Sequence, residues 1–282
     1  METVHTIDEL RQLIADFRTE GRMVGFVPTM GALHEGHASL VRRSVSENAA
    51  TVVSIFVNPT QFNDAADLEK YPRTLEADSR LLEACGADIL FAPTVTEMYP
   101  VPDDRTFSYP PLDTVMEGHF RPGHFNGVCQ IVSKLFDAVR PDRAYFGEKD
   151  FQQLAIVRRM TRALHFPIEI VGCPIVREAD GLAMSSRNAR LSTKERKQAL
   201  AISRALQASQ AIYGMHLGTV EQMEQLIESY ITRESDLRLE YFSIVDADTL
   251  QPIDSWDDAR SIVGCIAAYC GEVRLIDNIK YK

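Results

Sequence analysis

The sequence predicts an α/β protein: a doubly wound, Rossmann-like parallel sheet followed by a second, smaller α+β domain. Two observations carry this prediction. Over residues 1–175, short apolar runs alternate with amphipathic stretches of helical spacing, which is typical of strands joined by crossover helices. Over residues 176–282 the pattern changes to charged helices and strands joined by turns, and we expect this domain to act as a lid. A chain of 282 residues is long enough for two such domains.

The elements of the first domain can be assigned in chain order. Residues 6–20 are predicted to be helical, because Thr6 and Glu9 have the spacing of a capping box and Gly21 follows the last turn. An apolar strand over 22–27 ends at Pro28, and the apolar spacing becomes helical from Ala38 onward. Short apolar runs predict strands over 51–57, 87–92, 143–146 and 168–171. Apolar residues at helical spacing predict helices over 75–85, 126–139 and 151–164.

The second domain has its own sequence of elements. Residues 192–213 and 220–232 are predicted to be charged helices, and residues 238–245 and 259–270 are predicted to be strands. The segment that precedes them, residues 177–188, is too polar and too rich in turn signals to lie in a core.

Composition and charge exclude several classes of function. A net charge of −10 argues against a nucleic-acid partner, so any anionic ligand needs a local cluster of cations or N–H donors. No run approaches the roughly 18 apolar residues of a membrane span, and the polar N-terminus is unlike a signal peptide. The five cysteines are scattered, without a Cys-x-x-Cys pair, which indicates buried reduced thiols and a cytoplasmic protein.

The most informative motif is the turn that follows the first apolar strand. His34 and His37 lie three residues apart at the start of a helix, so their side chains face the same way. Gly31 and Gly36 allow the backbone to approach a ligand closely. Because a helix N-terminus beyond a parallel strand binds anions, we expect the imidazoles to donate hydrogen bonds to the phosphates of a nucleoside triphosphate.

Two other interpretations of these histidines stay open at this point. Both side chains could be ordinary helix-start residues. They could also ligate zinc, although catalytic zinc needs three protein ligands and no HExxH or paired-cysteine motif supplies the others. The flanking glycines favour phosphate over metal.

Polar clusters also follow other predicted strands, where a parallel sheet gathers its ligands. Together with the histidine turn there are four clusters: His34 and His37; Asn58 and Gln61; Gly147, Lys149, Asp150 and Gln153; and Met184, Ser185, Ser186 and Arg187.

The first and last of these clusters resemble the paired HxGH and KMSKS-like signatures of the nucleotidyltransferase superfamily. Within it the chain is most similar to the pantothenate synthetases (pantoate–β-alanine ligases). The similarity runs almost from end to end, through PTMGALHEGH, FVNPTQF, YPRT, RPGHFNGV, PDRAYFGEKDFQQL and READGLAMSSRN. It implies a two-step reaction, in which pantoate and ATP form pantoyl adenylate and pyrophosphate, and β-alanine then displaces AMP. The implied pathway is coenzyme A biosynthesis.

The resemblance also implies roles for individual residues. His34, His37, Lys149, Ser185, Ser186 and Arg187 would be catalytic, through contacts with the phosphates and the outgoing pyrophosphate. Asp150 would bind the ribose. The implied ATP site further includes Pro28, Thr29, Met30, Gly31, Gly147, Val176 and Met184.

The implied site for pantoate and β-alanine consists largely of neutral side chains. Gln61 and Gln153 would bind pantoate, and Met30 and Phe62 would line its apolar side. Asn58, Arg121 and His124 complete the set implied for pantoate and β-alanine.

Metal and assembly are implied by the same resemblance. Asp78 would organise Mg²⁺ bound with ATP, although this chain has Ala77 where some relatives carry an acidic residue. No organic cofactor is implied, and the family is commonly homodimeric.

Alternatives are another HxGH-type nucleotidyltransferase that forms an adenylate or passes AMP to a different acceptor, an aminoacyl-tRNA synthetase, a zinc hydrolase, and a non-catalytic nucleotide-binding module. The neutral side chains of Gln61 and Gln153 favour pantoate over a phosphorylated acceptor, and the negative net charge of the chain argues against tRNA as a substrate.

Overall fold

The computed structural model describes residues 1–62 and 68–282. The chain forms two compact units. The first unit comprises Met1–Tyr109, Phe120–Glu148 and Gln153–Pro174, and the second comprises Pro110–His119, Lys149–Gln152 and Ile175–Lys282. The division into domains at residue 175 stays a prediction.

The first unit is built on a parallel sheet, as the sequence predicted, and over the described residues this sheet has six strands where five were predicted. Its strands are β1 (Glu2–Val4), β2 (Val24–Thr29), β3 (Ala50–Ile55), β4 (Ile89–Phe91), β5 (Arg143–Gly147) and β6 (Glu169–Cys173). They lie in the order β1-β4-β3-β2-β5-β6, and every pairing is parallel. The edge strand β1 has no counterpart among the predicted strands.

Helices and short turns connect these strands. The helices up to β6 are α1 (Ile7–Thr19), α2 (Glu35–Glu47), α3 (Leu75–Cys85), α4 (Val95–Met98), α5 (Glu117–Phe120), α6 (His124–Val139) and α7 (Phe151–Ala163). Short 3-10 turns cover Pro59–Gln61 and Glu148–Asp150. The predicted capping box at α1 is confirmed, since Thr6 and Glu9 each bond the other's backbone N–H.

The chain reverses its winding direction between β2 and β5. From β2 the connections run outward through β3 to β4, whereas β5 and β6 lie on the other side of β2. The pairing of β2 with β5 covers only Gly25 and Phe26, so these strands are no longer paired where β2 reaches Pro28, which has no N–H to donate. Ligands of doubly wound sheets bind at such a switch point, and the turn with His34 and His37 follows β2.

Apolar burial fixes the orientation of the elements around this point. Val27 of β2 and Val53 of β3 pack in one fully buried cluster with Val41 of α2 and Leu82 of α3. The turns that follow β2 and β3 are therefore anchored at both ends by the same core.

The second unit contains a three-stranded antiparallel sheet. Its strands are β7 (Leu237–Asp246), β8 (Ile262–Cys270) and β9 (Val273–Lys280), in the order β7-β8-β9. The helices α8 (Thr193–Gly214) and α9 (Val220–Thr232) pack on it. Ile202, Leu206, Ile227 and Ile266 form part of the shared core. A 3-10 turn covers Ser186–Arg190. The predicted α+β character of this part is confirmed.

Over the part of the chain that the structure describes, no helix combines the length and the apolar character that crossing a membrane requires.

A buried carboxylate anchors the segment before residue 106 to α6. The Asp103 carboxylate accepts hydrogen bonds from the side chain and the backbone N–H of Arg105 and lies 3.4 Å from Nζ of Lys134. Its side chain is 4% exposed. The hydrogen bonds from the Arg105 guanidinium are the largest of the causes that hold the pKa of Asp103 well below its usual range.

We expect Asp103→Asn to lower the free energy of unfolding at neutral pH by about 1–3 kcal/mol, because charge-assisted hydrogen bonds are lost. A carboxylate with a lowered pKa stabilises the fold above its unfolded pKa, and this stability is lost as the pH falls. The difference between parent and variant should therefore stay constant from neutral pH to about pH 5 and shrink as the pH falls below about 4 in urea titrations. Asp104→Asn, at the exposed neighbour, is the control; a pH-independent difference for Asp103→Asn would contradict the assignment.

Candidate active site

The turn between β2 and α2 has an unusual backbone conformation. Gly31 and Ala32 both have positive φ, +81° and +50°. A Cβ at Gly31 would lie 3.0 Å from Cγ2 of Ile55, a tight contact, so the close packing adds to the preference for glycine that the positive φ creates. The hydroxyl of Thr29 accepts from the N–H of Gly31 and donates to the carbonyl of Ser54 on β3. The turn is thus tied to the neighbouring strand.

The two histidines cap α2 reciprocally. His34 is the N-cap residue, and its Nδ1 accepts from the N–H of Gly36 at 3.1 Å. Nδ1 of His37 accepts from the N–H of His34 at 3.3 Å. A ring nitrogen that accepts from a backbone N–H carries no proton, so each neutral ring carries its proton on Nε2. The ring centroids are 4.1 Å apart, and the site therefore has two Nε2–H donors side by side at the N-terminus of α2.

Asp78 contacts the same turn from α3. Its Oδ2 accepts from the N–H of Ala32 at 3.0 Å and its Oδ1 accepts from the N–H of Leu33 at 2.8 Å. The hydroxyl of Thr74 donates to Oδ2 at 3.1 Å. Asp78 is 3% exposed.

This environment does not fit the predicted role of Asp78 as a magnesium ligand. Three of the roughly four lone-pair positions of its carboxylate face donors of the protein. Among residues 1–62 and 68–282, no group of three or more His, Cys, Asp or Glu side chains is arranged to hold a metal ion. Mg²⁺ prefers octahedral oxygen coordination with several waters, which a buried and hydrogen-bonded carboxylate does not provide.

A cluster of neutral polar side chains follows β3. Asn58 is 1% exposed and uses both ends of its amide. Its Nδ2 donates to Oε1 of Gln61 and to the carbonyl of Gly127, and its Oδ1 accepts from the hydroxyls of Tyr99 and Thr60. Asn58 therefore orients Gln61. Nε2 of Gln61 is directed at the sulfur of Met30, 2.9 Å away, so the structure brings together two residues that the sequence assigned to pantoate.

Helix α6 packs directly against this cluster. Nδ1 of His124 donates to the backbone carbonyl of Gln61 at 2.9 Å. One turn later, a Cβ on Gly127 would lie 2.4 Å from the carbonyl oxygen of Thr60, so only glycine permits this approach. His124 thus supports the Gln61 backbone through Nδ1, and its predicted contact with substrate stays a prediction. Gly127 is a requirement that the sequence analysis missed.

Four other predicted site residues of the first unit can be placed on its elements. Phe62 meets Tyr71 edge to face with centroids 5.6 Å apart. Gly147 ends β5, opposite Cys173. Gln153 is half-buried near the start of α7, and Arg121 lies before the N-terminus of α6. The substrate contacts predicted for these four residues stay predictions.

In the second unit, the KMSKS-like segment lies on a small hairpin. The N–H of Met184 donates to the carbonyl of Val176, and Arg177 forms an antiparallel bridge with Ala183. Val176 and Met184, both predicted for ATP, are therefore adjacent. Oγ of Ser185 accepts from the N–H of Arg187 and caps the 3-10 turn Ser186–Arg190. Ser186 and Arg187 lie in the first positions of that turn.

The hairpin is fixed by residues that the sequence analysis did not single out. Arg177 makes a bidentate ion pair with Asp277 of β9 at 2.7 and 3.0 Å. The amide of Asn278 donates to the carbonyl of Lys149 at 3.0 Å, which places the backbone of this predicted catalytic residue beside β9. Asp150, the predicted ribose contact, is exposed. Asp277 and Asn278 carry no recognisable motif, so only the fold reveals them.

A second set of bonds holds the far side of the hairpin. Nδ2 of Asn188 donates to the carboxylate of Glu178 and to the carbonyl of Ala183. Arg196 of α8 pairs with Glu178 and Asp180 at 2.6 and 2.8 Å. These contacts connect the segment to the longest helix of the unit.

Comparison with known proteins identifies the family of the chain. A family model described as pantoate–beta-alanine ligase matches residues 2–280. The pantothenate synthetase of Bacteroides thetaiotaomicron is 66% identical over 282 residues, which cover 100% of this chain and 99% of that protein. The chain belongs to the pantoate–β-alanine ligase family. The predicted resemblance is confirmed, and with it the prediction that the chain is a ligase.

Solved structures show the same architecture. The pantothenate synthetase of Thermus thermophilus has a TM-score of 0.94 and 46% identity, covering 100% of this ligase and 99% of that chain. The pantoate–beta-alanine ligase of Francisella tularensis, solved in complex with beta-gamma ATP and beta-alanine, has a TM-score of 0.83 and 32% identity, covering 100% and 98%. The predicted fold class is thereby confirmed.

We expect Gly127→Ala to destabilise this ligase by about 1–3 kcal/mol, because the new methyl group displaces the Thr60 carbonyl. The matched control is Gly214→Ala at the end of α8, where a Cβ meets nothing within 4 Å and stability should rise slightly. Urea unfolding of both variants measures the difference. Equal stability changes would show that the helix does not depend on the close approach at Gly127.

Proposed function

We propose that this ligase condenses pantoate with β-alanine at the expense of ATP, through pantoyl adenylate, giving pantothenate, AMP and pyrophosphate. The observation that carries the proposal is the pair of Nε2–H donors of His34 and His37 at the N-terminus of α2, beside the winding reversal of the sheet. Family membership supplies the substrates, and the neutral cluster after β3 suits an acid with hydroxyl groups.

In the first step, a carboxylate oxygen of pantoate attacks the α-phosphorus of ATP. The bond from that phosphorus to the bridging oxygen breaks, and pyrophosphate leaves with the bonding electrons. Negative charge then builds on the phosphate oxygens, where the two Nε2–H groups and the N-terminus of α2 donate. These donors are fixed by their backbone hydrogen bonds, so little reorganisation is needed during the reaction.

In the second step, the amine nitrogen of β-alanine attacks the acyl carbon of the adenylate. The bond from carbon to the AMP oxygen breaks, AMP leaves with the electron pair, and the amine proton passes to solvent. Activation is required because a free carboxylate is a poor electrophile, whereas the acyl phosphate has a good leaving group. Positioning of the amine supplies most of the remaining acceleration.

Pantoate recognition rests on the cluster after β3. Gln61 would bind the hydroxyl and carboxylate groups, with its amide oriented by Asn58, while Met30 and Phe62 cover the apolar side. Gln153 would bind the same substrate. We further propose contacts to pantoate or β-alanine from Arg121 and His124.

The second unit would contribute cationic and hydroxyl groups to nucleotide binding. Lys149 would neutralise charge on the transferring phosphate, and Ser185, Ser186 and Arg187 would bind pyrophosphate. Asp150 would bind the ribose, with Val176 and Met184 next to the nucleotide. Lys149 has the support of Asn278 at its carbonyl, and the serines have the support of the 3-10 turn.

Magnesium, assembly and location are proposed on the same basis. Mg²⁺ would enter as part of the MgATP substrate, and no organic cofactor is needed for either step. A homodimer is proposed from the family resemblance and is tested by sedimentation. A cytoplasmic location is supported by the five cysteines, all of which are buried thiols.

Product analysis tests the proposed reaction directly. The purified protein is incubated with ATP, magnesium and pantoate, with and without β-alanine, and pyrophosphate, AMP and pantothenate are followed by mass spectrometry. Pantothenate and AMP that form only with β-alanine support the two-step ligase. Absence of pyrophosphate under both conditions would refute it, and AMP transfer to another acceptor would support the other nucleotidyltransferases.

The role of the histidine rings is tested by two isosteric substitutions at His37. Asn keeps an acceptor near Nδ1 for the backbone N–H but has no donor at the Nε2 position, whereas Gln keeps a donor near Nε2. We expect His37→Asn to lower pantoate-dependent ATP–pyrophosphate exchange roughly 100-fold, with Gln less severe. Thermal unfolding should show the opposite order, because Asn retains the cap. Equal exchange rates in His37→Asn and the parent would show that His37 does not bind the phosphates.

Gln61→Ala tests the acid site. The KM for pantoate should rise about tenfold or more while the KM for ATP changes little, since only one substrate loses its hydrogen bonds. Steady-state kinetics with each substrate varied in turn measures both constants. Proportional increases in the two values would show that Gln61 supports the whole site and does not recognise pantoate.

A further inference from the structure

We propose that Asp78 is a positioning residue that fixes the backbone of the histidine turn, and that it does not ligate magnesium. This inference rests on the proposed function, because its consequence is the orientation of the phosphate donors on His34 and His37. It differs from the role that the family resemblance implied for this carboxylate.

The turn presents two successive N–H groups to one carboxylate. With Gly31 and Ala32 both at positive φ, the N–H groups of Ala32 and Leu33 converge on the two oxygens of Asp78 at 3.0 and 2.8 Å. Successive N–H groups in such a conformation form a concave site for an anion. Asp78 is the anion that occupies it, so this concavity is not available to a phosphate.

The carboxylate also compensates an unfavourable conformation. Ala32 is not a glycine, and its Cβ makes the left-handed region costly. Charge-assisted hydrogen bonds from the following peptide groups stabilise that conformation. His34, the N-cap residue of α2, comes immediately after Leu33, so the backbone that Asp78 fixes is the one that sets the direction of both rings.

Asp78 is itself rigidly supported. It lies in the first turn of α3, and its N–H donates to the carbonyl of Thr74. Leu82, one turn later on the same face of the helix, is fully buried with Val27 of β2 and Val41 of α2. The carboxylate therefore connects the turn to a helix that shares its core with the strand before the turn and the helix after it.

Asp78→Asn tests the proposal. Both oxygens face N–H donors, so an amide in either orientation places its NH₂ group against a donor. We expect pantoate-dependent ATP–pyrophosphate exchange to fall at least about tenfold. The half-saturating Mg²⁺ concentration and the rate of pantothenate formation from supplied pantoyl adenylate should stay within about twofold of the parent. Glu83→Gln, an exposed carboxylate on the same helix, is the control and should match the parent.

A second variant keeps the proposal testable if Asp78→Asn fails to fold. Thr74→Val removes one donor to Asp78 and leaves the carboxylate in place; Thr74 makes no side-chain cap to α3. Its exchange rate should fall by a smaller factor, with unchanged Mg²⁺ dependence. A Mg²⁺ requirement that rises severalfold in Asp78→Asn, with activity restored by excess metal, would overturn the proposal. Parental exchange rates in both variants, or equal loss in both half-reactions, would overturn it as well.

A spectroscopic readout separates this proposal from the proposed function. Ring ¹⁵N shifts of His34 and His37 report which nitrogen carries the proton. We expect the Nε2–H tautomer in the parent and a mixture in Asp78→Asn, because the backbone donors to Nδ1 are displaced. If the parent makes no pantoyl adenylate, the proposed function fails, and the shifts still decide the role of Asp78: parental shifts in the variant would refute it.

Discussion

The geometry of the site depends on the hydrogen bonds made by backbone N–H groups in the turn between β2 and α2. A helix start leaves several N–H groups without intrahelical partners, and the left-handed residues before it add two more. The protein supplies each acceptor from a different place: Thr29 for Gly31, Asp78 for Ala32 and Leu33, and the histidine rings for His34 and Gly36. Hydrogen bonding of the backbone therefore fixes the proton positions of the rings.

The same requirement explains the polar cluster after β3. It also explains why the tautomer of His124 differs from that of His34 and His37. A buried asparagine must use both ends of its amide, and Asn58 does so with two acceptors and two donors. His124 faces the carbonyl of Gln61, so its proton lies on Nδ1, whereas His34 and His37 face N–H groups and carry theirs on Nε2. Residue type alone does not distinguish these roles. The backbone group opposite each ring does.

Local features of the fold could be predicted from the sequence, whereas long-range contacts could not. Periodicity and caps are local, and the helices over 75–85 and 220–232 were predicted with the observed bounds, as was the capping box at Thr6. Strand β1 escaped prediction because it has three residues of which only Val4 is buried. The long-range partners escaped as well: Tyr99 binds Asn58 and Asp277 binds Arg177, each from a segment without a motif, and Asp78 could be given a role only by resemblance.

The negative net charge of the chain limits which groups are available to bind an anionic ligand. The net charge of −10 leaves no excess of cations for a triphosphate, so the proposed anion binding in the first unit rests on neutral donors and a helix N-terminus. In the second unit, Arg177 and Arg196 are committed to carboxylates and serve to fix the hairpin. Lys149 is close enough to Asp277 to contribute to lowering its pKa, against the larger opposing effect of burial. Because Arg177 binds both oxygens of Asp277, this carboxylate is held by a bidentate ion pair that fixes the hairpin to β9.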